Sequence, residues 1–218
     1  QLGADTGSAD CRQQTGVPCS LVPIRVAGGD RFVSVTLGLA HTCALTESGI
    51  AYCWGGNYDG AVGIGSSQEQ ITTPTPVVGG HTFASLGAGY LHTCGITTQG
   101  DTYCWGLDNT GQLGSGTASA DRCQFGYPDS PCSRSPTKVV GAHAFVQVTG
   151  STLKTCGRTS ANMIYCWGLE VGAPPSTECE SGRITACTRT PLLQVSGLAF
   201  PIFGMGELKF TRFSRHLV

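Results

Sequence analysis

Short apolar runs alternate with polar, glycine-bearing turns along most of this chain, and no segment shows the 3.6-residue apolar spacing of an amphipathic helix. One pattern recurs. His41-Thr42-Cys43-Ala44-Leu45 leads through Gly49 to Tyr52-Cys53-Trp54-Gly55. His92-Thr93-Cys94-Gly95-Ile96 leads through Gly100 to Tyr103-Cys104-Trp105-Gly106. A third copy runs from Thr155-Cys156 past Asn162 to Tyr165-Cys166-Trp167-Gly168. Two strand-prone runs about a turn of Gly or Asn, the residue types that tolerate positive φ, predict a β-hairpin in each copy.

A full unit adds Pro76-Val77-Val78-Gly79-Gly80 and Phe83-Ala84-Ser85-Leu86-Gly87-Ala88-Gly89 before the hairpin, and Gly111-Gln112-Leu113-Gly114 after it. Four short extended segments per repeat are the arithmetic of a β-propeller, in which repeats bury their faces against one another. The chain therefore divides into 1–20, the tail of an incomplete repeat, then repeats at 21–72, 73–134 and 135–189. Residues 190–218 open a further repeat and end in a divergent tail. Gln1-Leu2-Gly3 matches Gln112-Leu113-Gly114, so the chain reads as starting inside a repeat.

Folding each hairpin about its turn sets its two cysteines opposite one another, within reach of a disulfide. The pairs are Cys43 with Cys53, Cys94 with Cys104, and Cys156 with Cys166. Free core thiols are the weaker reading, because one spacing recurs three times. Zinc is disfavoured too, since its sites gather closely spaced pairs in fours. The other six cysteines form local pairs, Cys11 with Cys19, Cys123 with Cys132, and Cys179 with Cys187, although sequence does not prove connectivity. Twelve cysteines in one chain argue for an oxidising compartment, so an extracellular protein is expected, its signal removed or outside this sequence.

The pattern Phe32, Val35, Gly38-Leu39-Ala40-His41-Thr42-Cys43-Ala44-Leu45, Gly49, Tyr52-Cys53-Trp54-Gly55-Gly56-Asn57, Gly60, Gly63, Gly65 resembles the repeat of the regulator of chromosome condensation family. The resemblance implies a propeller, usually of seven blades, and the hairpin cysteines resemble those of its secreted bacterial members. The namesake activity, nucleotide exchange on a nuclear GTPase, needs an intracellular setting that paired cysteines argue against. Light-absorbing members carry Gly-Trp-Arg-His-Thr. Here the stretches read Gly38-Leu39-Ala40-His41-Thr42 and Gly89-Tyr90-Leu91-His92-Thr93, so that function is not carried over.

Composition removes other classes. A net charge of −1 with 12% charged residues makes no electrostatic case for nucleic acid or for a membrane surface. No apolar run reaches the length of a spanning helix. His41 and His92 recur at one place, which favours a structural bond to a backbone carbonyl within the blade over catalysis. The three tryptophans read as filling between blades, with exposed binding platforms as the alternative. Asp59, Asp101, Asp108 and Asp121 read as turn residues, without calcium-loop spacing. Neither a nucleophile elbow nor a phosphate loop occurs, and no cofactor is expected.

The expectation is a non-enzymatic structural or protein-interaction module, part of an extracellular assembly such as a surface fibre. Its partners would be further copies of itself or further blades of a longer chain. The candidate assembly edges are Gln1, Leu2 and Gly3 at one end and Pro191, Val195 and Phe200 at the other. The alternative is a soluble binder of an extracellular protein, acting through the cysteine-closed loops between repeats.

Overall fold

A computed structural model describes residues 20, 22–123, 129–170 and 187–194. The described residues contain no helix and form three antiparallel sheets. The first is β1 (Phe32–Leu37), β2 (His41–Thr46), β3 (Ala51–Gly56) and β4 (Gln70–Pro76), in that order. The second begins with β5 (Phe83–Ala88), β6 (His92–Thr97) and β7 (Thr102–Leu107). It continues with β8 (Asp121–Cys123) and β9 (Ser130–Lys138), where β9 pairs with β7 and β8 is added outside it. The third is β10 (Phe145–Gly150), β11 (Lys154–Thr159), β12 (Ile164–Leu169) and β13 (Cys187–Leu193). These are three consecutive blades of a β-propeller. Neighbouring blades meet through β1, β5 and β10, the first strand of each.

The hairpins form because each turn supplies its residue at positive φ: Gly49 at 81°, Gly100 at 88° and Asn162 at 60°. The register then sets Cys43 opposite Cys53, Cys94 opposite Cys104 and Cys156 opposite Cys166. Each pair is a disulfide, with S–S distances of 2.09, 2.09 and 2.06 Å, and Cys123 is bonded to Cys132 at 2.01 Å. Cys187 is also disulfide-bonded. Cys11, Cys19 and Cys179 lie outside the described residues.

The fourth strand of every blade bulges opposite the tryptophan. Cys53 pairs with Thr75 but Gly55 with Ile71, so Trp54 faces an excess of residues that includes Pro74. Pro136 and Pro191 occupy the matching bulges opposite Trp105 and Trp167. Proline is tolerated there because a bulge needs no ladder donor from it. This moves the repeat boundaries. Divisions after residues 72, 134 and 189 cut through β4, β9 and β13, and the proline stretches read as opening a unit in fact close one. Pro191 accordingly lies buried in the third blade's last strand rather than at the start of a fourth. The other expected edges, Gln1, Leu2, Gly3, Val195 and Phe200, lie outside the described residues.

The core is two clusters along the seams. Phe83 and Trp105 join Leu45, Ala51, Trp54 and Val62 between the first and second blades. Phe145, Val148 and Trp167 join Ile96 and Leu113 between the second and third. Phe145 and Trp167 stack with ring centroids 5.7 Å apart.

Candidate functional site

The histidines and tryptophans singled out in the sequence, with Asp59 and Asp108, lie at the blade seams. In the first seam His41 Nε2 lies 2.9 Å from Thr93 Oγ1 of the next blade. The Thr93 hydroxyl donates to the Ala61 carbonyl oxygen at 2.9 Å, and Trp105 Nε1 donates to that same oxygen at 2.9 Å. The second seam repeats this: His92 Nε2 is 2.8 Å from Thr155 Oγ1, and Thr155 Oγ1 and Trp167 Nε1 donate to Gln112 O at 2.8 and 2.9 Å.

Proton bookkeeping fixes the tautomer. A threonine hydroxyl has one hydrogen, and in each seam it is committed to a carbonyl. The histidine must therefore donate from Nε2, which leaves Nδ1 unprotonated and, in both residues, without a hydrogen-bond partner. Burial holds both rings neutral: it lowers the pKa of His41 to about 4 and that of His92, with some help from His41, to about 3. Glycine makes room for the rings. A Cβ on Gly89 would lie 2.6 Å from both His92 Nδ1 and Ser151 O. The expected carbonyl partner within the blade is thus replaced by a hydroxyl of the next blade.

The loop after the third strand supplies the other half of each seam. Asn57 Oδ1 accepts from Val62 N at 3.2 Å, and Asp108 Oδ1 accepts from Leu113 N at 3.2 Å. Gly65 N and Gly116 N then donate to Arg134 O and Arg189 O of the following blade, at 2.8 and 3.0 Å. Asp108, fully buried, meets Arg189 Nη1 at 3.3 Å. Burial raises the Asp108 pKa, while Ser119 and Arg189 hold it down. Asp59 is equally buried. Sequence reasoning took both for turn residues; the usable signal was an arginine at one position of the fourth strand in two repeats, Arg134 and Arg189. Asp101 forms an exposed ion pair with Lys138 at 2.9 Å, and Asp121 opens β8.

The third blade departs from the pattern. Lys154 stands where the others have histidine, and its Nζ lies 3.0 Å from Glu170 Oε1.

Trp105 and Trp167 are fully buried and Trp54 is 3% exposed, so the rings are filling, not platforms. The His–Thr pairs have no reach to a substrate, being buried, with the hydroxyl proton already engaged. Among the described residues no group of three or more His, Cys, Asp or Glu is placed to hold a metal, and no helix is long and apolar enough to cross a membrane.

Four-stranded blades joined by head-to-tail seams define a propeller repeat protein. The family model of the regulator of chromosome condensation (RCC1) repeat matches residues 32–61 and 83–112, and the chain carries RCC1 repeats. It is 30% identical to the ultraviolet-B receptor UVR8 of Arabidopsis thaliana over 155 residues, 68% of this chain and 32% of that receptor. The crystal structure of human WBSCR16 is similar over 86% of this chain and 44% of its own, with a TM-score of 0.63 and 18% identity. Yeast RCC1 (Prp20) bound to Kap60 is similar over 74% and 36%, with a TM-score of 0.58 and 20% identity. The chain thus spans about a third of that receptor's length.

Proposed function

We propose that this chain is a non-enzymatic propeller module of an extracellular assembly, working by protein contact with further copies of itself or further blades of a longer chain. The observation that carries this reading is on the inner strands. Val35 and Leu37 of β1 are 46% and 66% exposed, whereas Val148, which holds the place of Val35 in the third blade, is buried. A stripe of this kind beside the propeller axis is what additional blades or a second copy would cover.

The seams support the mode of contact. Each is completed by unlike groups, a histidine and a loop carbonyl from one blade and a threonine and a tryptophan from the next. Blade contacts inside the chain are therefore head-to-tail, and copies joined in the same polarity would close into a ring or run on as a filament. The disulfides support an oxidising setting. RCC1 of yeast, solved with Kap60, is an example of this fold meeting a protein partner.

The alternative, a soluble binder of an extracellular protein, draws on the β8–β9 flap closed by Cys123–Cys132, an addition to the four-stranded plan. Light scattering and negative-stain microscopy separate the two. Rings, filaments or discrete oligomers that dissociate with Val35→Asp and Leu37→Asp support self-assembly. A compact, dispersed monomer with a cooperative melt overturns it and leaves the soluble binder.

A further inference from the structure

The seam between the first and second blades holds a carboxyl group that the histidine relay does not use. Asp59 is fully buried, and neither of its oxygens has a hydrogen-bond partner. The matching seat in the next seam belongs to Thr110, whose hydroxyl lies 2.9 Å from Leu153 O and 2.7 Å from Gln112 Oε1, both acceptors. The seat therefore suits a donor, which a carboxyl group is only when protonated. Burial acts in that direction, raising the Asp59 pKa to about 6 against the opposing pull of Arg134.

Arg134 and Arg189 occupy equivalent backbone positions and send their head groups to different places. A Cβ on Gly60 would meet Arg134 Cα at 2.9 Å and Cγ at 3.0 Å; one on Gly111 would meet Arg189 Cα at 2.9 Å and Cγ at 2.7 Å. Both stems thus lie against the same loop. Arg189 turns inward to buried Asp108. Arg134 turns outward, with Nη1 3.5 Å from Asp121 Oδ2 and Nη2 donating to the Arg122 carbonyl at 3.0 Å, so it ties down β8. Asn57 stands where the second seam has Asp108, which leaves Asp59 as the carboxyl group of this loop.

We propose that Asp59 and Arg134 form a proton-controlled switch on the β8 flap. With Asp59 protonated, Arg134 holds Asp121 and the Arg122 carbonyl. When Asp59 releases its proton to solvent, Arg134 turns inward to the new carboxylate, as Arg189 does to Asp108, and β8 loses its tie. A buried carboxylate without a partner is costly, whereas the partly exposed Arg134–Asp121 pair, 3.5 Å apart, is worth less, so the exchange runs inward. The charge facing Asp59 from β9 is Arg134 itself. His92, at the start of β6, is kept neutral by burial throughout this range. On the flap, Arg122 faces Asp129 at 3.8 Å, and the Cys123–Cys132 disulfide keeps the loosened strand attached.

The test is exchange of the amide hydrogens of Asp121, Arg122, Cys123, Ser130 and Cys132 in the full oxidised chain between pH 5 and 7.5, corrected for intrinsic rates. The wild type should lose protection about tenfold across pH 6. Asp59→Asn and Asp59→Thr, the latter installing the residue of the matching seat, should remain protected, and Arg134→Gln should exchange fast at every pH. Equal loss in the Asp59 variants, or a flat wild-type profile, overturns the proposal.

Discussion

Replacing Thr93 by valine keeps the shape of the seam and deletes one hydroxyl, which makes it a clean perturbation of the relay. The Ala61 carbonyl keeps its second donor, Trp105 Nε1, at 2.9 Å. His41 Nε2 keeps nothing comparable, because its acceptor at 2.9 Å was that hydroxyl. A buried donor left unsatisfied costs about 1–3 kcal/mol, so Thr93→Val should destabilise by about 2 kcal/mol. At ~2–4 °C per kcal/mol for a chain of this size, the melting temperature should fall by about 6 °C. Scanning calorimetry of oxidised Thr93→Val, Thr93→Ser, His41→Leu and the double variant is the assay. Serine retains the hydroxyl and should cost less than valine. In the double variant the valine should cost less than it does alone, with a coupling of about 1–2 kcal/mol. Strictly additive losses, or a serine as damaging as valine, would refute the relay as a coupled hydrogen-bond chain.

Trp105→Ala and Trp167→Ala should each cost about 3–5 kcal/mol, read by urea unfolding, since both rings are fully buried in the seams; unchanged midpoints would contradict their filling role. Non-reducing peptide mapping should recover Cys43–Cys53, Cys94–Cys104, Cys123–Cys132 and Cys156–Cys166 as separate bridges, and opening one hairpin bridge should cost roughly 2.5–3 kcal/mol in the chain-entropy model. His41 and His92 have folded pKa values below the ordinary 6.5, so the unfolded chain binds more protons between 6.5 and about 4 for His41, or about 3 for His92. Their contribution is therefore complete above pH 6.5 and is lost as pH falls through that window. Urea midpoints of the wild type and of His92→Gln at pH 7 and 4.5 should show the smaller acid loss in the variant.

The hairpins were legible because everything that makes them is local. A turn residue at positive φ fixes the register, and the register fixes which cysteines face each other. The limits of the blades were not legible from the same rules. Pro191 reads as opening a further unit, yet it sits in a bulge of a fourth strand, as Pro74 and Pro136 do, where a missing donor does no harm. The histidine partner was hidden by distance along the chain, since His41 and Thr93 are 52 positions apart and His92 and Thr155 are 63 apart. The trace was the His-Thr dipeptide itself: the histidine of one copy uses the threonine of the next. Asp108 shows how a turn reading can be right and incomplete. It does accept from Leu113 N, but it also meets an arginine 81 positions away inside a seam.

Lys154 puts the relay in relief. Histidine at this position needs an acceptor from the following blade, because its ring is buried and its proton must go somewhere. Lysine with Glu170 at 3.0 Å needs none, and the two side chains are 23% and 21% exposed, wet enough to be solvated where they stand. A partly exposed pair of this kind contributes up to about 1 kcal/mol and demands no exact neighbour. The first two blades are thus bound forward by a directional, all-or-none hydrogen-bond set, whereas the third blade satisfies this position from its own strands. A partner meeting the forward face of the third blade would have to be recognised by other means than a histidine at this position. The seams inside the chain are therefore separable from any contact beyond the third blade by mutation of Thr93 and Thr155.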